Sequence, residues 1–212
     1  MNPLRDAGVP GHVLQLLDRL HAASTAQESE LDITAFASDA IHDATRDAFI
    51  ALDKEKCQFV YQLARAINAR CVVEAGTSFG VSTIYLSLAV NANLQASGGK
   101  GVVIATEHEP AKAAQARKYW AEAGASVAQN IDLREGDLLQ TLRENVPKID
   151  LLLLDSGSSI PPIRRTNASE PPNNSRHAVE GGVTVAEAYK LERYHLQRKA
   201  CRIEVSNGYH VS

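Results

Sequence analysis

The 212-residue sequence predicts a layered α/β fold, a parallel sheet with helices on both faces. Three observations carry that expectation. Short β-type runs alternate with helical patterns through the middle of the chain, which calls for right-handed βαβ units. The run 149–155 ends in four consecutive leucines and an aspartate, as expected of a strand covered on both faces. Apolar residues make up 44% and charged residues 22%, an ordinary soluble balance, while an aromatic content of 5% leaves the core to Leu, Val, Ile and Ala.

Residues 1–70 read as an N-terminal helical region. Val13, Leu16, Leu17 and Leu20 recur at helical spacing. Phe59, Val60, Leu63 and Ile67 form a second stripe opposite Lys54, Glu55, Lys56 and Arg65. Such helices are open to three uses: covering the sheet, shaping a substrate mouth, or forming a homodimer surface.

Residues 71–155 read as the α/β core. Cys71 to Ala75 is a strand stopped by Gly76, and a helix follows with Val81, Ile84, Tyr85 and Leu88 on its apolar side. Val102 to Ala105 begins a second strand that reaches Glu107. Pro110 suits the first position of the next helix, which Gly124 closes. Ile131 to Arg134 is a weaker third strand, a short helix runs from Leu138 to Asn145, and the leucine run is the fourth strand.

Residues 156–212 read as an irregular, poorly buried tail. They are punctuated by Pro161-Pro162 and Pro171-Pro172 and hold too few apolar residues to offset their ordering entropy. Val183 to Val185 and Arg202 to Val205 are candidate strand fragments, and the sheet is expected to be incomplete after its fourth strand, with that strand as an edge. The change at Ser156 reads as a truncated or altered C-terminal part.

Several function classes are disfavoured. A net charge of −3 offers no attraction for nucleic acid. No apolar stretch approaches the length of a membrane helix. Cys57, Cys71 and Cys201 are odd in number and far apart, and the N-terminus lacks a basic region followed by an apolar one. The expectation is a cytoplasmic protein. His108 and His195 lack ligand spacing and read as surface residues.

Chemistry in a parallel sheet gathers beyond the carboxyl ends of the strands. Gly76 permits a tight turn after the first strand, and Gly80 lets the following helix pack closely. Glu74 is suited to a ligand ammonium group rather than a pyrophosphate. Ser78 stands where a dinucleotide fingerprint needs its second glycine, which disfavours a nicotinamide enzyme. Glu107 ends the second strand, where a carboxylate can accept both hydroxyls of a ribose. Asp137 is open to two roles, an adenine-edge contact and an N-cap. Asp155, after four leucines, reads as functional.

The segments Val73 to Thr83, Ala105 to Pro110, Arg134 to Asp137 and Ile149 to Asp155 together resemble the class I S-adenosylmethionine-dependent O-methyltransferases, of the catechol and caffeoyl-CoA type. The resemblance covers about residues 54–155 and implies a Rossmann-like methyltransferase fold with S-adenosyl-L-methionine as cofactor. It implies methyl transfer to a hydroxyl of a small molecule. Glu74, Gly76 and Thr77 would hold the methionine moiety, Ser82 its carboxylate, Glu107 the ribose and Asp137 the adenine region. Asp155 would be catalytic, beside the sulfonium, and in metal-dependent members would ligate a divalent cation such as Mg²⁺. Those members add an Asp-Asn pair on the next strand, whereas this chain has no aspartate after Asp155. The alternative reading is a non-catalytic nucleoside-binding or regulatory module derived from such an enzyme.

Overall fold

The computed structural model describes residues 2–30 and 48–155 and the backbone of a strand at Arg202–Val205. Two helices lead the chain, α1 (Pro3–Asp6) and α2 (Gly11–Glu30), and α3 (Lys54–Ala66) precedes the sheet. The core then alternates β1 (Cys71–Ala75), α4 (Val81–Ser97), β2 (Val102–Glu107), α5 (Pro110–Ala123), α6 (Ala125–Ala128), β3 (Ile131–Glu135), α7 (Leu138–Thr141) and β4 (Leu151–Leu154). The last strand, β5, is Arg202–Val205.

The strand order is β3-β2-β1-β4-β5. The first four strands are parallel and β5 is antiparallel to β4. The chain therefore moves outward from β1 through β2 to β3, then returns to add β4 on β1's other side. That reversal makes the β1/β4 boundary the switch point where α/β sheets place their ligands.

Alternation along each strand divides the core in two. Val72, Val103, Ala105, Leu151 and Leu153 face a large cluster built from α2, α3, α4 and α5. Val73, Ala75, Ile104, Leu152 and Leu154 face a smaller one with Leu142 and Ile149. Helix α4 is buried almost all round, so its few polar residues are paired. Asn93 donates to the carbonyls of Ala64 and Ala69 (3.0 and 2.8 Å), and Ser87 donates to that of Val127 (2.6 Å).

Three sequence expectations are corrected. On α3 the buried positions are Cys57, Val60, Tyr61 and Ala64, and Phe59 is 56% exposed. The buried stripe thus runs through Cys57, Val60, Tyr61 and Ala64 and leaves Phe59 on the outer side of the helix. The helix after Asp137 ends at Thr141 rather than Asn145. Arg134 stops it by donating to the carbonyls of Thr141, Glu144 and Asn145 (2.9, 3.0 and 2.8 Å). The fourth strand is not an edge: Leu151 to Leu154 are all buried and pair with β5, from Leu151 opposite Val205 to Leu154 opposite Arg202. The Arg202 to Val205 run is therefore a strand of the sheet. The fragment at 183–185 and His195 lie outside the described residues.

Candidate cofactor crevice at the strand ends

Register sets the site. Ala75 lies opposite Thr106 on β2 and Leu154 on β4, so one residue further on Glu107, Gly76 and Asp155 follow in a row across three strands. Neighbouring strands lie about 4.8 Å apart, so this row spans roughly 10 Å. Loop-to-loop hydrogen bonds lock it. Thr77 N–H donates to Thr106 O (2.8 Å), Asp155 N–H to Ala75 O (3.1 Å), and Gly136 N–H to Glu107 O (2.9 Å). The Thr106 hydroxyl donates to Glu74 O (3.0 Å) and accepts from Gly76 N–H (3.3 Å).

The loop from Gly76 to Gly80 turns through the left-handed region at Gly76, Ser78 and Gly80 (φ 89°, 51° and 76°). At Gly80 glycine is obligatory for a second reason. A Cβ there would meet the Trp120 indole at 2.5 Å, and the indole N–H donates to Gly80 O (2.9 Å). This close approach sets helix α4 against α5 and aims its uncapped N-terminus at the strand ends.

Glu74 is enclosed, with 0% exposure. Thr77 Oγ1 donates to its Oε2 (2.9 Å), Ser82 Oγ to its Oε1 (2.5 Å), and Thr83 Oγ1 to Oε2. Burial disfavours the carboxylate and pushes its pKa up to about 7. The three hydroxyls pull the other way, and nearby Asp155 adds to the rise. Glu74, read from the sequence as suited to a ligand ammonium group, is thus a buried carboxyl whose oxygens accept from three hydroxyls. It is an internal post around which the loop and the first turn of α4 are folded, and the Ser82 hydroxyl spends its proton there.

Glu107 is 8% exposed and held from two directions. Oε2 accepts from Ser78 N–H (2.7 Å) and Oε1 from Glu109 N–H (2.8 Å). Each carboxylate oxygen offers two acceptor sites, so the group is fixed in place with acceptor capacity left. Asp137 is exposed and caps α7, its Oδ1 accepting from Leu139 and Gln140 N–H (2.8 and 3.3 Å). The cap is thus formed, with the second candidate role, an adenine-edge contact, compatible with it.

Beyond the row lies a small hollow. Residues 50–52 line one side and Thr77, Ser78, Ser82 and Asp155 the other. Asp155 borders it directly, while Glu74 and Glu107 act on it through Thr77, Ser82 and Ser78. A larger open groove beside β3, lined by Arg134, Leu139 and Glu144, touches none of these three acids. Sequence patterns did not point to residues 50–52, to Trp120, or to the backbone donors of Ser78 and Glu109. Gly80 was read only as room for the following helix to pack closely, and Trp120 also presses against it.

Residues 73–186 match the methyltransferase domain family. The chain belongs to that family. The match runs past Asp155, so the family pattern does not stop where composition changes. The chain is 36% identical over 103 residues to catechol O-methyltransferase of Mycobacterium tuberculosis, an alignment covering 49% of this chain and 43% of that protein. The chain thus spans under half the length of that relative. Among solved structures, it is similar to the O-methyltransferase TomG of Streptomyces achromogenes in complex with SAM, with 23% identity and a TM-score of 0.46. That alignment covers 66% of this chain and 62% of TomG. An O-methyltransferase of Bacillus cereus in complex with SAH shows 20% identity and a TM-score of 0.44, covering 65% of this chain and 63% of its own.

A divalent cation does not fit the domain's described residues. They hold no group of three His, Cys, Asp or Glu side chains arranged for a metal. Asp155 alone cannot supply the several oxygens a hard cation takes. None of the described helices is long and apolar enough to cross a membrane. His108 is exposed, and Cys57 and Cys71 are buried.

Proposed function

We propose that this chain transfers a methyl group from S-adenosylmethionine to a hydroxyl of a small molecule. One observation carries the reading: Glu107, Gly76 and Asp155 stand in register at three neighbouring strand ends, with a small hollow beside Asp155. The donor set suits the cofactor. Glu107, already oriented by two backbone N–H groups, retains acceptors for the paired ribose hydroxyls. Gly76 and Thr77 present backbone to the methionine moiety. The uncapped N-terminus of α4, at Ser82, favours its carboxylate through free N–H groups and the helix dipole. Asp137 takes part at the adenine end by fixing the turn that follows Gly136.

When bound, the cofactor supplies a methyl group on a sulfonium that is already a good leaving group. The protein's own task is then alignment and proton management. Asp155 places an anion at the hollow, beside the expected sulfonium and within the space an acceptor hydroxyl must enter, so it is the residue to take up that proton.

Calorimetry tests the reading. Micromolar binding of S-adenosylmethionine without binding of NAD is the expected result, followed by methyl transfer to members of a catechol and phenol panel. NAD binding, or no heat with S-adenosylmethionine at millimolar concentration, would overturn it.

A further inference from the structure

Residues 50–52 line the hollow, in a segment from residue 48 that belongs to no helix or strand. Their backbone donors are satisfied chiefly from outside the segment. Phe49 N–H donates to the Gln27 side-chain oxygen (2.6 Å), and Ala51 N–H donates to Ser24 Oγ (2.8 Å). Both acceptors sit on α2, one turn apart. Ser24 is 4% exposed and its hydroxyl donates onward to Glu28 (3.3 Å), which turns its lone pairs toward Ala51. On the other side the segment rests on the glycine loop. The Phe49 ring packs against Phe79 (4.7 Å between centroids) and edge-on to Tyr119 (6.1 Å), and Ser78 Oγ lies 3.5 Å from Ile50 O.

We infer that Ser24 and Gln27 are positioning residues for the cofactor site, holding the segment 48–52, whose residues 50–52 line the same hollow as Asp155. This rests on the cofactor reading above. An extended segment with no ladder of its own keeps one conformation only if its amides are paired. Of the amides at 49 to 51, Ile50 N–H alone is paired within the segment, to Ala48 O (3.0 Å). The side chains of α2 supply the rest. Helix α2, which lies outside the row of strand ends, thereby sets how firmly the crevice holds its ligand.

The test uses the full chain. Gln27→Ala alters an exposed side chain and removes one anchor, Ser24→Ala removes the buried one, and Gln27→Glu keeps an acceptor in place. Two measurements are made on each variant: amide hydrogen exchange at Phe49 and Ala51 without ligand, and the dissociation constant for S-adenosylmethionine. The expected result is faster exchange confined to these amides in both alanine variants. Affinity falls roughly tenfold in the double variant, the effect of losing one to two modest hydrogen bonds, and Gln27→Glu stays near wild type. Unchanged exchange overturns the anchoring. Faster exchange with unchanged affinity overturns the link to the site. A wild-type chain that binds no S-adenosylmethionine overturns the cofactor reading and the affinity half of this inference, while exchange still decides the anchoring.

Discussion

Glu74 makes the stability of this chain depend on pH in an uncommon direction. Its carboxyl has an ordinary value of 4.5 and stands at about 7 in the folded chain, because burial outweighs three hydroxyl donors. A raised acid binds its proton more tightly when folded. The folded state is therefore favoured below pH 4.5, and that advantage is lost as pH rises to about 7. At about 1.4 kcal/mol per pH unit the total is about 3 kcal/mol, of which roughly 2 kcal/mol falls between pH 5 and 7.5. Glu74→Gln keeps the shape and abolishes the titration. Urea unfolding of both proteins across that range isolates the effect, since other titrating groups, including the burial-depressed His21, are common to both. The wild-type midpoint should fall relative to the variant by about 1 M between pH 5 and 7.5, for a slope near 2 kcal/mol per M. Parallel profiles would show that the enclosed carboxyl is not the titrating group, and the reasoning about its burial would fail.

Three further outcomes are expected. Glu107→Ala removes a charged acceptor and should weaken S-adenosylmethionine binding by about 1–3 kcal/mol in calorimetry, with unchanged affinity refuting the ribose assignment. Gly80→Ala forces a side chain into the left-handed region and against Trp120, and should lower stability by about 2–4 kcal/mol in denaturant unfolding. Asp137→Ala should cost about 1 kcal/mol of stability through the lost cap of α7 while leaving cofactor affinity within about twofold; a much larger affinity loss would show a direct adenine contact.

What could be read beforehand follows from how local each signal is. Strands β1 to β4 and helices α2, α4 and α5 announce themselves by apolar spacing, by Gly76, Pro110 and Gly124, and by the leucine run. Those signals lie within a few residues of the element they specify. The polar ends Glu107 and Asp155 were legible for the same reason. The hydrogen bonds that enclose Glu74 were not, because a carboxylate that points into a helix start looks identical in sequence to one that points at a ligand. The clamp on Glu107 uses backbone N–H groups, which every residue but proline carries, so no residue type marks it. Strand β5 is four residues with no periodic context, and its partner lies far upstream. The segment at residues 48–52 depends on a serine and a glutamine in α2, two residues that a polar helix surface would carry in any case.

The pairing of β4 with β5 bears on biosynthesis. Leu151 to Leu154 are complete long before Arg202 to Val205 leave the ribosome. During that interval the leucine run presents unpaired amides and carbonyls on one side, a template for any passing strand. A message or a protease that cut the chain before Arg202 would make the interval permanent, and the products expected are insoluble or chaperone-bound rather than merely inactive.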